Sequence, residues 1–227
     1  MTSPASHEPP SFPPTARSVE PRLGAGRLAQ LLEPGETVLQ LHRPLAPEIR
    51  EVMEETAMGE PFESNVVLDA KDLDLSEILA PISHPKARHF LKDDITSMIT
   101  DLAELLGRRH LAAKLGVVPN DGCRKFHTDY VTLRLICTYA GPGTEWVRDE
   151  DVRRENLRRT DVDLETANRS VLREPDVVNH CGAGDILLLK GEVFEGNRGR
   201  GAVHRSPPLT HPSMRRLVLK IDPQRCC

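Results

Sequence analysis

The stretch Asp129-Tyr130-Val131-Thr132-Leu133-Arg134-Leu135-Ile136-Cys137-Thr138-Tyr139 decides the fold. Its odd positions carry most of the large apolar groups, and that period of two predicts a strand with one face buried. Gly141-Pro142-Gly143 follows as a turn. Two more strands are expected downstream, Asp185 to Lys190, entered through Gly182 and Gly184, and Arg216 to Ile221. Upstream the period is helical. Ile49, Val52, Met53, Thr56 and Ala57 mark one helix within 46–58. Ile95, Met98, Ile99, Leu102, Leu105 and Leu106 form the apolar stripe of a second helix from about Lys92 to His110, with Gly107 or Gly116 ending its pieces. That stripe reads as core packing. Helices followed by strands predict a mainly β protein with flanking α-helices, an antiparallel sandwich or barrel covered on one side.

The 227 residues suit a single domain, and the low aromatic content (4%) leaves its core to Leu, Val, Ile and Ala. Residues 1–22 hold six prolines without apolar periodicity and read as a disordered tail. The rest, 23–227, reads as one domain with a helical part at about 40–118 and a β core at about 119–222. A charged insert interrupts that core at about 148–174, where 15 of 27 residues are charged. It is either a solvated loop with one or two helical turns or a lid that touches substrate. The formal charge of −4 argues against a nucleic-acid or anionic-membrane binder. No apolar run is long enough to span a membrane and no secretory signal is visible, so a cytoplasmic protein is expected. Five scattered cysteines without a C-x-x-C pair do not suggest a disulfide framework.

Of nine histidines, only His127 is followed at the second position by a carboxylate, Asp129. Residues two apart on a strand share a face, so both side chains can reach one ion. Such a pair arises about once by chance in this composition, and a structural strand-end pair is the plain alternative. Context favours the ion. His204 follows in Gly201-Ala202-Val203-His204-Arg205-Ser206-Pro207-Pro208, directly ahead of the final strand, and supplies a third ligand. Two histidines and one carboxylate on a face leave three positions of an octahedral metal open. Arg215 and Arg216 open the last strand, where a guanidinium can form a bidentate pair with a carboxylate; Arg216 is favoured because the apolar run starts after it. Parity continued without a bulge places Tyr139 on the His127 and Asp129 face. Cys137 reads as a buried small hydrophobe, His180-Cys181 as a loop pair, and His211 as surface. Cys123, four residues before His127, is a minor metal-ligand candidate, and Cys226-Cys227 reads as an oxidisable tail. Tyr130 and Trp146 flank the mouth, to contact substrate or plug the end.

With these pieces in hand, the sequence resembles the Fe(II)/2-oxoglutarate dioxygenases of the prolyl-hydroxylase type. The matching segments are His127-Thr128-Asp129-Tyr130, Tyr139 to Trp146, and Gly184 to Leu189, with His204 and Arg215-Arg216 following in order. The stretch from Cys123 to Asp222 also looks like an uncharacterised bacterial family known only as a domain of unknown function. The dioxygenase resemblance implies a double-stranded β-helix, a cupin-like jelly roll with the metal inside its mouth. It implies His127, Asp129 and His204 as Fe(II) ligands, Arg216 or Arg215 on the distal carboxylate of 2-oxoglutarate, and Tyr139 as a hydrogen-bonding partner. The implied substrate is a small molecule or a protein side chain. The same ligands also suit Zn²⁺ in a metal-homeostasis protein without oxygenase activity, and a metal-free sugar- or peptide-binding sandwich is the third reading.

Overall fold

The computed structural model describes residues 30–224 apart from 32, 34, 120, 121 and 212; the proline-rich segment at 1–22 and Cys226-Cys227 lie outside the described residues. In chain order the elements are β1 (Val38–Leu41), α1 (Pro47–Ala57), β2 (Glu63–Asp69), α2 (Pro85–Leu106), β3 (His110–Val118), β4 (Leu133–Ala140) and β5 (Glu145–Val147). They continue with α3 (Leu164–Val171), β6 (Val178–His180), β7 (Ile186–Lys190), β8 (Val203–Arg205) and β9 (Arg216–Pro223). α2 starts earlier than its apolar stripe suggests, because His84 caps it, accepting from the Ala87 N–H, and Pro85 occupies the first turn. It stops at Gly107, whose φ of 59° is left-handed. No helix among the described residues is long and apolar enough to cross a membrane.

Two antiparallel sheets form the core. The larger has the order β1-β7-β4-β9-β3-β2 and the smaller β6-β5-β8. Their arrangement resembles a jelly roll, but neither sheet closes into the expected barrel. The strand that would extend the smaller sheet beyond β8 is reduced to a single antiparallel bridge between His127 and His204. Residues 110–118, expected in the helical part, are β3, paired along its length with β2 and β9. Leu111, Ala113, Leu115 and Val117 alternate toward the helices, a period of two that Ala and Leu, good helix formers, disguise.

The odd positions of β4 (Leu133, Leu135, Cys137 and Tyr139) join that helix-covered core, with Met53 of α1 and Leu91, Ile95, Met98, Ile99 and Leu102 of α2. One polar network lies within it. Asp94 of α2, only 2% exposed, is paired with Arg43, and its Oδ2 accepts the Tyr139 hydroxyl at 2.8 Å. Tyr139 therefore lies on the sheet face opposite the one expected, away from His127 and Asp129. The reason is local: the strand begins only at Leu133. Before it the chain bends around 191–193, where the Gly191, Glu192 and Val193 N–H groups donate to the carbonyls of Thr132, Asp129 and Val131. Parity does not survive that bend. The other face of the large sheet, with Ile136, Leu187, Leu189 and Val218, packs toward the small sheet together with Cys181, Ala202 and Trp146.

The charged insert is more ordered than a solvated loop. It forms 3₁₀ turns at Asp149–Asp151 and Arg154–Asn156, then α3, which Asp163 caps through the Thr166 N–H. Val152, Val171 and Leu172 of the insert bury against Phe126, Val147 and Val203, a separate small core beside the short sheet.

Candidate metal centre

His204 is the middle residue of β8 and only 4% exposed; on one side it registers with Trp146 and on the other with His127. The His127 N–H donates to the His204 carbonyl at 3.0 Å, and the His204 N–H returns to the His127 carbonyl at 3.1 Å. This reciprocal pair fixes the two backbones and brings the imidazoles to a centroid distance of 4.5 Å. Each ring has its Nδ1 against a carbonyl, that of Lys125 at 2.8 Å and that of Ala202 at 3.1 Å. A carbonyl only accepts, so Nδ1 carries the proton and Nε2 faces the centre as the ligand-competent atom. Asp129 completes the set, with its Oδ1 3.7 Å from His127 Nε2 and its Oδ2 3.1 Å from His204 Nε2. One ligand atom from each residue lies within 4.8 Å of the others. Ligands held roughly 2.0–2.2 Å from one ion stand about 3 Å or more apart. Both the spacing and the donor chemistry, two imidazole nitrogens and a carboxylate, fit a divalent metal bound as a facial triad.

The carboxylate does not stand alone. Arg134, on the inter-sheet face of β4, donates to Asp129 Oδ2 at 2.7 Å and makes a two-pronged contact with Asp222 of β9 at 2.8 and 2.6 Å. Burial alone would raise the Asp129 carboxyl; the close contact with His204 and the charge of Arg134 outweigh it and hold the group below the ordinary carboxylate range. Burial, reinforced by the neighbouring His204, lowers the His127 imidazole. Both shifts leave the ligand form dominant near neutrality.

Next to His204 lies a cavity of about 100 Å³, lined among others by Thr144, Ser206, Arg216, Val218 and Lys220. Arg216 is 3% exposed. Its guanidinium donates to the Pro142 carbonyl at 2.7 Å and to the Ser206 hydroxyl at 3.1 Å, with longer approaches to Thr138 and Thr144 hydroxyls at 3.3 and 3.5 Å. Among the described residues no carboxylate pairs with it, and burial lowers it to about 10. The glycine turn makes this placement possible. Gly141 has φ 76°, and a Cβ there would meet the Arg215 carbonyl at 2.2 Å and Arg216 Cγ at 3.1 Å. Arg215 is half-buried and does not line the cavity.

A larger cavity of about 510 Å³ adjoins this one through Arg205 and Ser206, walled by Arg124, Pro208 and the first half of α3. Arg205 is held by Glu145 at 2.6 Å and stacks over Phe126, 4.4 Å from the ring centroid. Cys123 is exposed and lines the smaller cavity, outside the ligand cluster. Tyr130 is 74% exposed, whereas Trp146 packs between the sheets and donates to Gln40 at 2.8 Å. His180 approaches Glu145 at 3.3 Å beside buried Cys181, and His211 is on the surface. Motif reading missed Arg134, Asp222, Thr138 and Thr144. A charge or hydroxyl at alternate positions of an apolar strand is the signal that marks Arg134, Thr138 and Asp222, and it means little until a second sheet covers that face; Thr144 lies in the turn between β4 and β5.

No curated protein matches the chain. It is similar to solved structures that include the dioxygenase for auxin oxidation 1 from Arabidopsis thaliana in a 2-oxoglutarate complex (9% identity, 93% of this chain and 91% of that chain covered, TM-score 0.49). Another is a Pseudomonas putida prolyl-4-hydroxylase (12% identity, 88% of this chain and 98% of that chain covered, TM-score 0.44). A family model matches residues 24–222, and the chain belongs to the family it describes, "Protein of unknown function (DUF1826)".

Proposed function

We propose that the protein is an Fe(II)- and 2-oxoglutarate-dependent oxygenase, a hydroxylase of a small molecule or a protein side chain, acting in the cytoplasm. The observation that carries this reading is the pairing of the His127, Asp129 and His204 cluster with a buried, carboxylate-free Arg216 beside the same cavity. His127 Nε2, Asp129 and His204 Nε2 would hold Fe(II), which supplies O₂ activation coupled to oxidative decarboxylation of the 2-oxo acid to succinate and CO₂. Arg216 binds and orients the distal carboxylate. It offers a fork of donors in a site of low dielectric, and the Ser206, Thr138 and Thr144 hydroxyls stand ready to share the anion. Arg134 keeps Asp129 ionised and aimed. The 510 Å³ cavity, walled by α3 and Arg205, is the place for the substrate.

Protein incubated with Fe(II), ascorbate and 2-oxoglutarate should release succinate even without a substrate. Equal yield from wild type and His127→Ala removes the support for oxygenase chemistry. Tight zinc in protein purified without added iron, together with no calorimetric response to 2-oxoglutarate, would instead support a zinc-binding role for the same three ligands.

A further inference from the structure

Lys220 is a further cation of the small cavity beside Arg216, since the third, Arg205, is paired with Glu145. It sits on β9 two positions beyond Val218 and four beyond Arg216, so all three share the inter-sheet face, and all three line the cavity. Four strand residues separate the Cα atoms of Arg216 and Lys220 by about 13 Å, which puts one cation toward each end of the space. Lys220 is half-buried and, among the described residues, has neither a hydrogen-bond nor an ion-pair partner. The acids near it are engaged elsewhere: Asp129 with Arg134 and His204, Asp222 with Arg134, and Glu63 with Lys114. Burial and then the charge of Arg134 disfavour its ammonium form, only partly offset by Cys123 and Asp129. A half-buried ammonium without a carboxylate paired to it is costly in a protein with no anion to place there.

We infer that Lys220 is the second anchor of a short-chain dicarboxylate held between two cations, Arg216 on one carboxylate and Lys220 on the one nearer the His127, Asp129 and His204 cluster. The inference rests on the reading of this cavity as a cosubstrate site, and it adds a residue that the ligand-and-arginine pattern does not contain. Lys220 touches the acid and not the group to be oxidised. A 2-oxo acid offers just this arrangement, with a carboxylate beside the keto group at one end and a free carboxylate at the other.

The test is calorimetry of the Mn(II)-loaded full chain with 2-oxoglutarate and with 4-oxopentanoate, which lacks the carboxylate next to the ketone. Lys220→Met should weaken 2-oxoglutarate binding about tenfold or more, the scale of one hydrogen bond to a charged group, and leave 4-oxopentanoate unchanged. Lys220→Arg, which keeps the charge, should retain most of the 2-oxoglutarate affinity. Arg216→Met should weaken both acids. Melting curves without ligand identify any variant that is misfolded, in which case Lys220→Gln replaces the methionine variant. Wild-type affinity in Lys220→Met or Lys220→Gln, or equal losses for both acids, overturns the anchor while leaving the oxygenase reading in place. Lys220-dependent binding without any succinate release sustains the anchor and sinks the oxygenase reading. No binding of 2-oxoglutarate by wild type overturns both.

Discussion

Replacing Arg216 by methionine separates a binding residue from a structural one. The guanidinium is 3% exposed, and its pKa falls from 12.5 to about 10 because burial removes it from water. A folded-state value below that of the unfolded chain means the charge costs stability at every pH under about 10, and the cost fades only as pH rises through the interval up to 12.5. At 1.36 kcal/mol per unit this is roughly 3 kcal/mol at neutral pH. Against it stand the two contacts within ordinary hydrogen-bond length, to Pro142 and Ser206, together about 2–3 kcal/mol. The two terms nearly cancel. Arg216→Met should therefore change the stability of the ligand-free protein by no more than about 1 kcal/mol, a few degrees in Tm, where loss of an ordinary buried side chain costs about 2–5 kcal/mol. Its response to ligand should differ sharply. Wild type held at a hundredfold excess of 2-oxoglutarate over Kd gains about 2.7 kcal/mol, a rise of roughly 5–10 °C for a chain of this size, and the variant should gain none at the same concentration. The assay is a pair of thermal melts, with and without the acid. A variant that melts many degrees lower alone yet keeps the ligand-induced rise would show that Arg216 is a structural staple and refute the reasoning.

Three further outcomes are expected. His204→Ala should abolish the Mn(II)-dependent rise in Tm, while His211→Ala, on the surface, should keep it; a metal-induced shift surviving in His204→Ala would rule out this cluster as the site. Asp129 titrates below its unfolded value, so its ion pairs contribute stability above about pH 4 and lose it as pH falls through the folded value. Urea titrations of metal-free protein at pH 7 and pH 3 should accordingly show a smaller acid penalty for Asp129→Asn than for wild type, and identical penalties would contradict the assignment. Gly191→Ala would set a Cβ 2.0 Å from the Val131 carbonyl oxygen, forcing apart the bend that follows Asp129. A loss of about 1–3 kcal/mol with weakened Mn(II) binding is expected, and unchanged metal affinity would mean that the bend does not position the ligand.

The triad was legible because its local signals are strong. His127-Thr128-Asp129 precedes a strand with clear alternation, and His204 follows ahead of the last one. The stripe of α2 and the interior strands β4, β7 and β9 were also readable, since each buries an apolar face that its sequence period records. Tyr139 was not, because alternation reports faces only along an unbroken strand, and the bend at 129–132 resets it. β3 was hidden by Leu111, Ala112, Ala113 and Leu115, residues that favour a helix until pairing with β2 and β9 decides otherwise. β1 is four residues long, and three of them are only half-buried, which leaves little pattern. Arg134, Lys220 and Asp222 looked like ordinary charges on strand positions; their meaning depends on a second sheet covering them, which is a tertiary fact.

The clamp between α3 and the backbone ahead of His127 ties two parts of the molecule together energetically. Asn168, midway along α3, accepts the Phe126 N–H at 2.9 Å and donates to the Arg124 carbonyl at 2.9 Å, gripping the backbone just before His127. Phe126 in turn is the centre of the insert's own small core. Whatever unravels the insert thus also releases His127, and whatever secures His127 raises the free energy of unravelling. By reciprocity the two effects are equal in size. Sequence changes in a highly charged segment can therefore tune how firmly the three candidate ligands are held together without altering any of those side chains.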